Sequence, residues 1–131
     1  MTSQISVYDG HNDVLLRLYR SKSSDAVSDF LFGEETGHID LKKARAGAFA
    51  GGLFAMYSPS PGNFASLSKA MTGSSYAVPM PAPLPMDDAR KSVAGELAIL
   101  MRILRQSEGA VALCKTAAEI RAGIARGSRA G

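Results

Sequence analysis

Ala48-Phe49-Ala50-Gly51-Gly52-Leu53-Phe54-Ala55-Met56-Tyr57 is the stretch on which the fold turns. It is almost wholly apolar, it is short, and turn-forming residues follow it. Such a run fits a strand buried on both faces, as in a parallel sheet covered by helices. The Gly51-Gly52 pair inside it signals a bulge or a close approach of backbones. Upstream, residues 4–9 read as a second strand. Ile5, Val7 and Tyr8 favour extended chain, and Asp9-Gly10 stops the run. Val14 to Arg20 supply one or two helical turns, with Asp13 placed as the cap. Residues 21–37 are polar and irregular around a small apolar cluster, Phe30-Leu31-Phe32. Asp40 caps a short helix over 41–46, which Gly47 closes.

Downstream, all six prolines fall between Pro59 and Pro85. Proline alternates with small or apolar residues from Tyr76 to Met86, which favours extended, polyproline-like chain and forbids a central strand. Residues 58–86 therefore read as a long loop, either a binding loop or an inert surface excursion. Residues 87–107 form the clearest helix. Asp87 and Asp88 suit its N-terminal dipole, and Ala89, Val93, Leu97, Leu100, Met101 and Leu104 make a stripe at helical spacing. The stripe places Met101 in the core. Glu108-Gly109 ends this helix, and residues 110–114, Ala-Val-Ala-Leu-Cys, read as a short buried strand with Cys114 as a small core residue. Thr116 and Glu119 form a capping box for a last helix, through Arg126 and closed by Gly127. Strand, helix, strand, helix, strand, helix is the alternation of a parallel α/β architecture.

The chain's 131 residues make one domain. With 46% hydrophobic and 21% charged residues, it has the composition to bury a core. The net charge of +3 is mildly basic. Arg121, Arg126 and Arg129 suit a helix C-terminus and have no aromatic residues among them for base stacking, so no nucleic-acid partner is expected. No apolar run approaches the roughly 18 residues of a membrane span. The N-terminus has no basic segment followed by an apolar one, which favours a cytoplasmic location. The single cysteine, Cys114, excludes an internal disulfide framework.

Chemistry concentrates in Asp9-Gly10-His11-Asn12-Asp13, directly after the first strand. In extended chain, side chains two apart share a face, so His11 and Asp13 project together from the strand's C-terminal end. In α/β barrels that end carries the active site. An imidazole nitrogen and a carboxylate oxygen suit zinc, and Asp9 is placed to orient such a site from behind its ligands. The other reading makes Asp13 a helix cap and His11 a hydrogen-bonded turn residue. A second His-x-Asp, His38-Ile39-Asp40, follows no convincing strand. There Asp40 reads as a helix cap and His38 as a surface residue. Phosphate-binding glycine loops and the Gly-x-Ser-x-Gly elbow are both missing.

Three blocks together resemble a known family. Val7 to Asp13, His38 to Gly47 and Gly51 to Tyr57 look like the N-terminal part of the renal (membrane) dipeptidases, the M19 metallopeptidases, in the family's order and spacing. The helix at 87–107 and the segment Thr116–Gly127 also look similar. The resemblance implies an α/β fold, the N-terminal part of a (β/α)8 TIM-type barrel, incomplete in this chain. It implies one partial barrel over residues 1–131, made of the first three strand and helix units with a proline-rich loop at 58–86. It also implies a two-zinc centre that hydrolyses the peptide bond of dipeptides with a metal-activated water. Carried over residue by residue, His11 and Asp13 bind one zinc, and Tyr57 sits near the substrate pocket. His38 matches no family ligand. In the family, a carboxylate bridging both zincs, further histidines and a substrate-binding arginine come later than the matched part. The expectation is thus an N-terminal fragment, inactive alone, that binds zinc weakly or not at all and can self-associate through open barrel edges. Two other readings are a stand-alone, non-catalytic α/β binding module and an enzyme completed by a separate fragment.

Overall fold

The computed structural model describes residues 5–60, 68–69, 71–78 and 80–127. Val7–Asn12 (β1) and Phe49–Phe54 (β2) pair in parallel. Parallel neighbours need a crossover of a dozen residues or more. Here three short helices supply it: Val14–Tyr19 (α1), Ala26–Phe32 (α2) and Leu41–Ala46 (α3). After β2 come Met86–Gln106 (α4) and Ala117–Gly127 (α5). Val7 faces Phe49 while Tyr8 faces Gly51, so the extra residue of a bulge sits where the glycine pair begins.

Each helix has a local cause. Asp25 caps α2, its Oδ1 accepting from the Ser28 amide (3.3 Å) and its Oδ2 from the Ser28 hydroxyl (2.8 Å). This helix falls inside the segment read as irregular. Its signal was the apolar spacing Val27, Phe30, Leu31 behind an aspartate, hidden by the polar residues on its outer face. Asp40 caps α3 as expected, accepting from the Lys43 amide at 2.7 Å. Gly47 follows α3 with φ −95°, and it is Ala48, at φ 53°, that makes the left-handed step into β2. Thr116 and Glu119 form the expected capping box at the start of α5.

The core is built by α1, α2 and α4: Val14, Leu15, Leu18, Val27, Phe30, Leu31 and Ile103 are buried. Ile39, Leu41, Phe54 and Met56 pack against it from the crossover and β2. Gly95 of α4 lies under the Tyr19 ring, where a β-carbon would come within 2.2 Å of it. That lets α1 and α4 approach closely, at a helix-propensity cost of about 1 kcal/mol relative to alanine. Arg102 of α4 reaches the Asp25 cap at 3.0 Å, and Arg17 of α1 pairs with Glu34 and donates to the Ile39 carbonyl.

Several expectations are corrected. β1 runs to Asn12, so Asp9-Gly10 lies inside it and His11 belongs to the strand. Residues 110–114 form no strand. The chain turns at Glu108 and Gly109, both at positive φ, and Ser107 exchanges hydrogen bonds with Val111. No third strand forms among the described residues. β2 is not buried on both faces, since Leu53 is 59% exposed. Met101, expected in the core, is 43% exposed, as are Val93 and Leu97 to similar degrees. The reason is rotational. α4 turns Ser92, Glu96 and Ile103 inward, and the residues one position further on lie about 100° around the helix. α1 and α2 are too narrow to cover so wide an apolar face. Arg129 lies outside the described residues.

Two outcomes test this packing. Leu15→Ala, at a site with no exposure, should lower unfolding free energy by about 2–5 kcal/mol in urea titrations. Asp40 is 1% exposed. Burial pushes its carboxyl up, but hydrogen bonds from Lys43 and Glu34 and the Lys43 charge outweigh burial and hold it below its ordinary 3.8. Its stabilising contribution is therefore complete above that ordinary value and lost as pH falls through the lower folded value. Asp40→Ala should cost about 0.5–2 kcal/mol at neutral pH. It should also flatten the loss of stability that the parent chain shows on acidification below 3.8.

Candidate metal centre at the strand ends

The C-terminal end of the sheet is organised by Asn12, which is 9% exposed. Its side-chain amide donates to Asp9 Oδ2 at 2.9 Å, and its Oδ1 accepts from the Val14 amide at 3.3 Å. Its carbonyl accepts from Ala55 N at 2.9 Å, which joins the end of β1 to the exit of β2. Asn12 thus performs the capping that the sequence had assigned to Asp13. Asp13 occupies the position before α1 but makes no side-chain cap hydrogen bond.

Freed from capping, Asp13 turns to His11. His11 Nε2 and Asp13 Oδ1 are 3.4 Å apart, with side chains 69% and 54% exposed. Zinc bonds of about 2.0–2.1 Å in a tetrahedron set ligand atoms roughly 3.3–3.4 Å apart. The pair therefore fits one edge of a zinc tetrahedron. Two ligands are fewer than a stable site uses, and no cluster of three or more metal-binding side chains occurs among the described residues. Asp9 bonds to Asn12, so its direct effect is on the strand end.

The two His-x-Asp motifs separate in space. His38 lies beside Val7 and Phe49, at the strands' N-terminal ends. Asp40 is occupied by the α3 cap and by Lys43 Nζ at 2.8 Å. Only the first motif stands at the end where β1 and β2 deliver their C-termini.

Tyr57 follows β2 at that same end and is 50% exposed. Its amide donates to Glu96 Oε2 at 3.1 Å, and Ser92 Oγ lies 3.3 Å from Glu96 Oε1 and 3.4 Å from the Tyr57 carbonyl. Ser58 Oγ adds a bond to the Ala89 carbonyl at 3.2 Å. Sequence reading passed over Asn12, Ser92 and Glu96. The signal for the last two was a serine and a glutamate one turn apart, facing into an otherwise apolar side of α4.

Comparison with known proteins shows what the chain is similar to. The chain aligns over 95% of its length with dipeptidase AC, a metallopeptidase of family M19, at 37% identity and a TM-score of 0.82. It aligns equally with a metallopeptidase from Rhodobacter sphaeroides liganded with a phosphinate mimic of the dipeptide L-Ala-D-Ala, at 36% identity and a TM-score of 0.83. The chain resembles the M19 dipeptidases. It corresponds to their N-terminal portion and spans about a third of the length of these structures. A stretch of 55 residues, 42% of the chain, is also 46% identical to an uncharacterized protein in the PQQ-III 3′ region of Acinetobacter calcoaceticus, covering 18% of it. No family model matches the sequence. Among the described residues, no helix is long and apolar enough to cross a membrane.

A substitution inside β2 tests the strand-end geometry. A β-carbon on Gly52 would sit 3.1 Å from Asp9 Cβ, 3.2 Å from Asn12 Nδ2 and 3.2 Å from the Phe49 ring. Gly52→Ala should therefore destabilise the chain by about 1–3 kcal/mol in denaturant titrations.

Proposed function

We propose that this chain supplies the first wall of a zinc-dependent dipeptidase site at the C-terminal end of a (β/α)8 barrel, and that it is inactive by itself. The observation that carries the reading is the 3.4 Å approach of His11 and Asp13 at the end of β1, in a chain similar to M19 metallopeptidases. His11 offers a neutral imidazole nitrogen and Asp13 an anionic oxygen. Both must be deprotonated to act as ligands, so affinity should fall on acidification. Zinc, when bound, supplies a polarised scissile carbonyl and an activated water. Asn12 holds the strand end from which the two ligands project. Asp9 braces Asn12, and Tyr57 stands at the same end, where a substrate side chain would be met. A dipeptide substrate is supported by the dipeptide mimic bound to the Rhodobacter sphaeroides protein. Self-association through open edges is supported by the two-stranded sheet, whose outer edges have no strand neighbour among the described residues.

Calorimetric titration with zinc tests the reading. The chain should bind weakly, as two protein ligands dictate, and His11→Ala or Asp13→Ala should lower affinity by about tenfold or more. Equal affinity in the parent and both variants would overturn the assignment. The zinc-loaded chain should show no turnover of L-Ala-D-Ala, and appreciable hydrolysis would refute its inactivity.

A further inference from the structure

Glu96 has no exposed surface, yet it carries a carboxylate in the middle of α4. No lysine or arginine pairs with it among the described residues. Burying such a group is costly unless its oxygens are hydrogen-bonded. Both are: Oε2 accepts from the Tyr57 amide at 3.1 Å, and Oε1 faces Ser92 Oγ at 3.3 Å. Tyr57 lies three residues beyond the end of β2, where the sheet no longer provides a partner for its amide. The neighbouring bonds converge on the same two residues. Ser92 Oγ lies 3.4 Å from the Tyr57 carbonyl, and Ser58 Oγ donates to the Ala89 carbonyl of α4. An apolar side chain at position 96 would suit the helix face equally well but could not hold the chain leaving β2.

We propose that Glu96 is a positioning residue: its buried carboxylate clamps the Tyr57–Ser58 backbone to α4 and so directs the Tyr57 side chain at the strand-end site. The importance of that direction for a dipeptide rests on the function proposed above, whereas the clamp itself does not. Glutamine keeps an acceptor of the same reach. Leucine keeps the volume and loses the acceptor. Aspartate keeps the charge and falls short of the Tyr57 amide.

The test is amide exchange and side-chain scalar coupling by NMR on the 131-residue chain. In Glu96→Leu the Tyr57 amide should exchange about tenfold faster or more, as loss of its hydrogen-bond acceptor implies. The Leu18 amide in α1 should be unchanged. The Tyr57 χ1 couplings should pass from one rotamer to an average. Glu96→Gln should restore both readouts. A purely stabilising role would shift the melting temperature without moving the Tyr57 rotamer. If Glu96→Leu does not fold, Glu96→Asp carries the same expectation. Unchanged Tyr57 exchange and couplings in the folded variants, or failure of glutamine to restore them, would overturn the proposal. The dipeptide reading is checked separately, by adding zinc and a phosphinate dipeptide mimic to the parent chain and following the Tyr57 ring signals. Silence there, with the clamp intact, counts against the dipeptide reading alone.

Discussion

The junction at Asn12 is the constraint from which the strand-end geometry follows. One residue, nearly without exposure, spends its side-chain donor on Asp9, its side-chain acceptor on the Val14 amide and its carbonyl on Ala55. The first bond braces the strand end, the second starts α1, and the third brings the exit of β2 alongside. The Asp13 side chain makes no cap bond and faces His11. A buried polar side chain holds such a position only when its donors and acceptors are used, and here they are. The tightness of the arrangement appears in Gly52, where a β-carbon would meet Asp9 at 3.1 Å and Asn12 at 3.2 Å.

A second junction does for β2 what Asn12 does for β1. Glu96 and Ser92 receive the chain as it leaves the sheet. The two junctions lie on different elements, and both act just past a strand's C-terminal end. His11 and Asp13 stand at the first junction and Tyr57 at the second. Parallel α/β proteins commonly build their sites at the C-terminal ends of their strands.

The apolar surface left open has the same origin. β1 and β2 form a two-stranded sheet with both outer edges unpaired among the described residues, and α4 carries a face wider than α1 and α2 can cover. Val93, Leu97 and Met101 remain exposed for that reason. Their spacing describes a helix correctly, but which part of an apolar face meets a neighbour depends on how many neighbours there are. The strand expected at 110–114 does not form, because the chain turns at Glu108 and Gly109 and Ser107 holds Val111 beside it.

Much of the local structure was legible in the residues. The two N-terminal strands, the Asp40 cap of α3, the extent of α4 and the Thr116 box each follow from short-range chemistry: alternation, capping and helical period. The helix at 26–32 was written in its apolar spacing but masked by the polar residues around it. The closeness of His11 and Asp13 was legible because extended chain puts alternate side chains on one face. What the chain alone could not specify was which residue caps α1, which face of α4 turns inward, and that a lone glutamate on that face would hold the exit of β2. Those are choices among long-range partners. Local sequence determined most of the elements that form. Tertiary packing decided who touches whom, because a hydrogen bond or a buried face exists only when its second partner arrives.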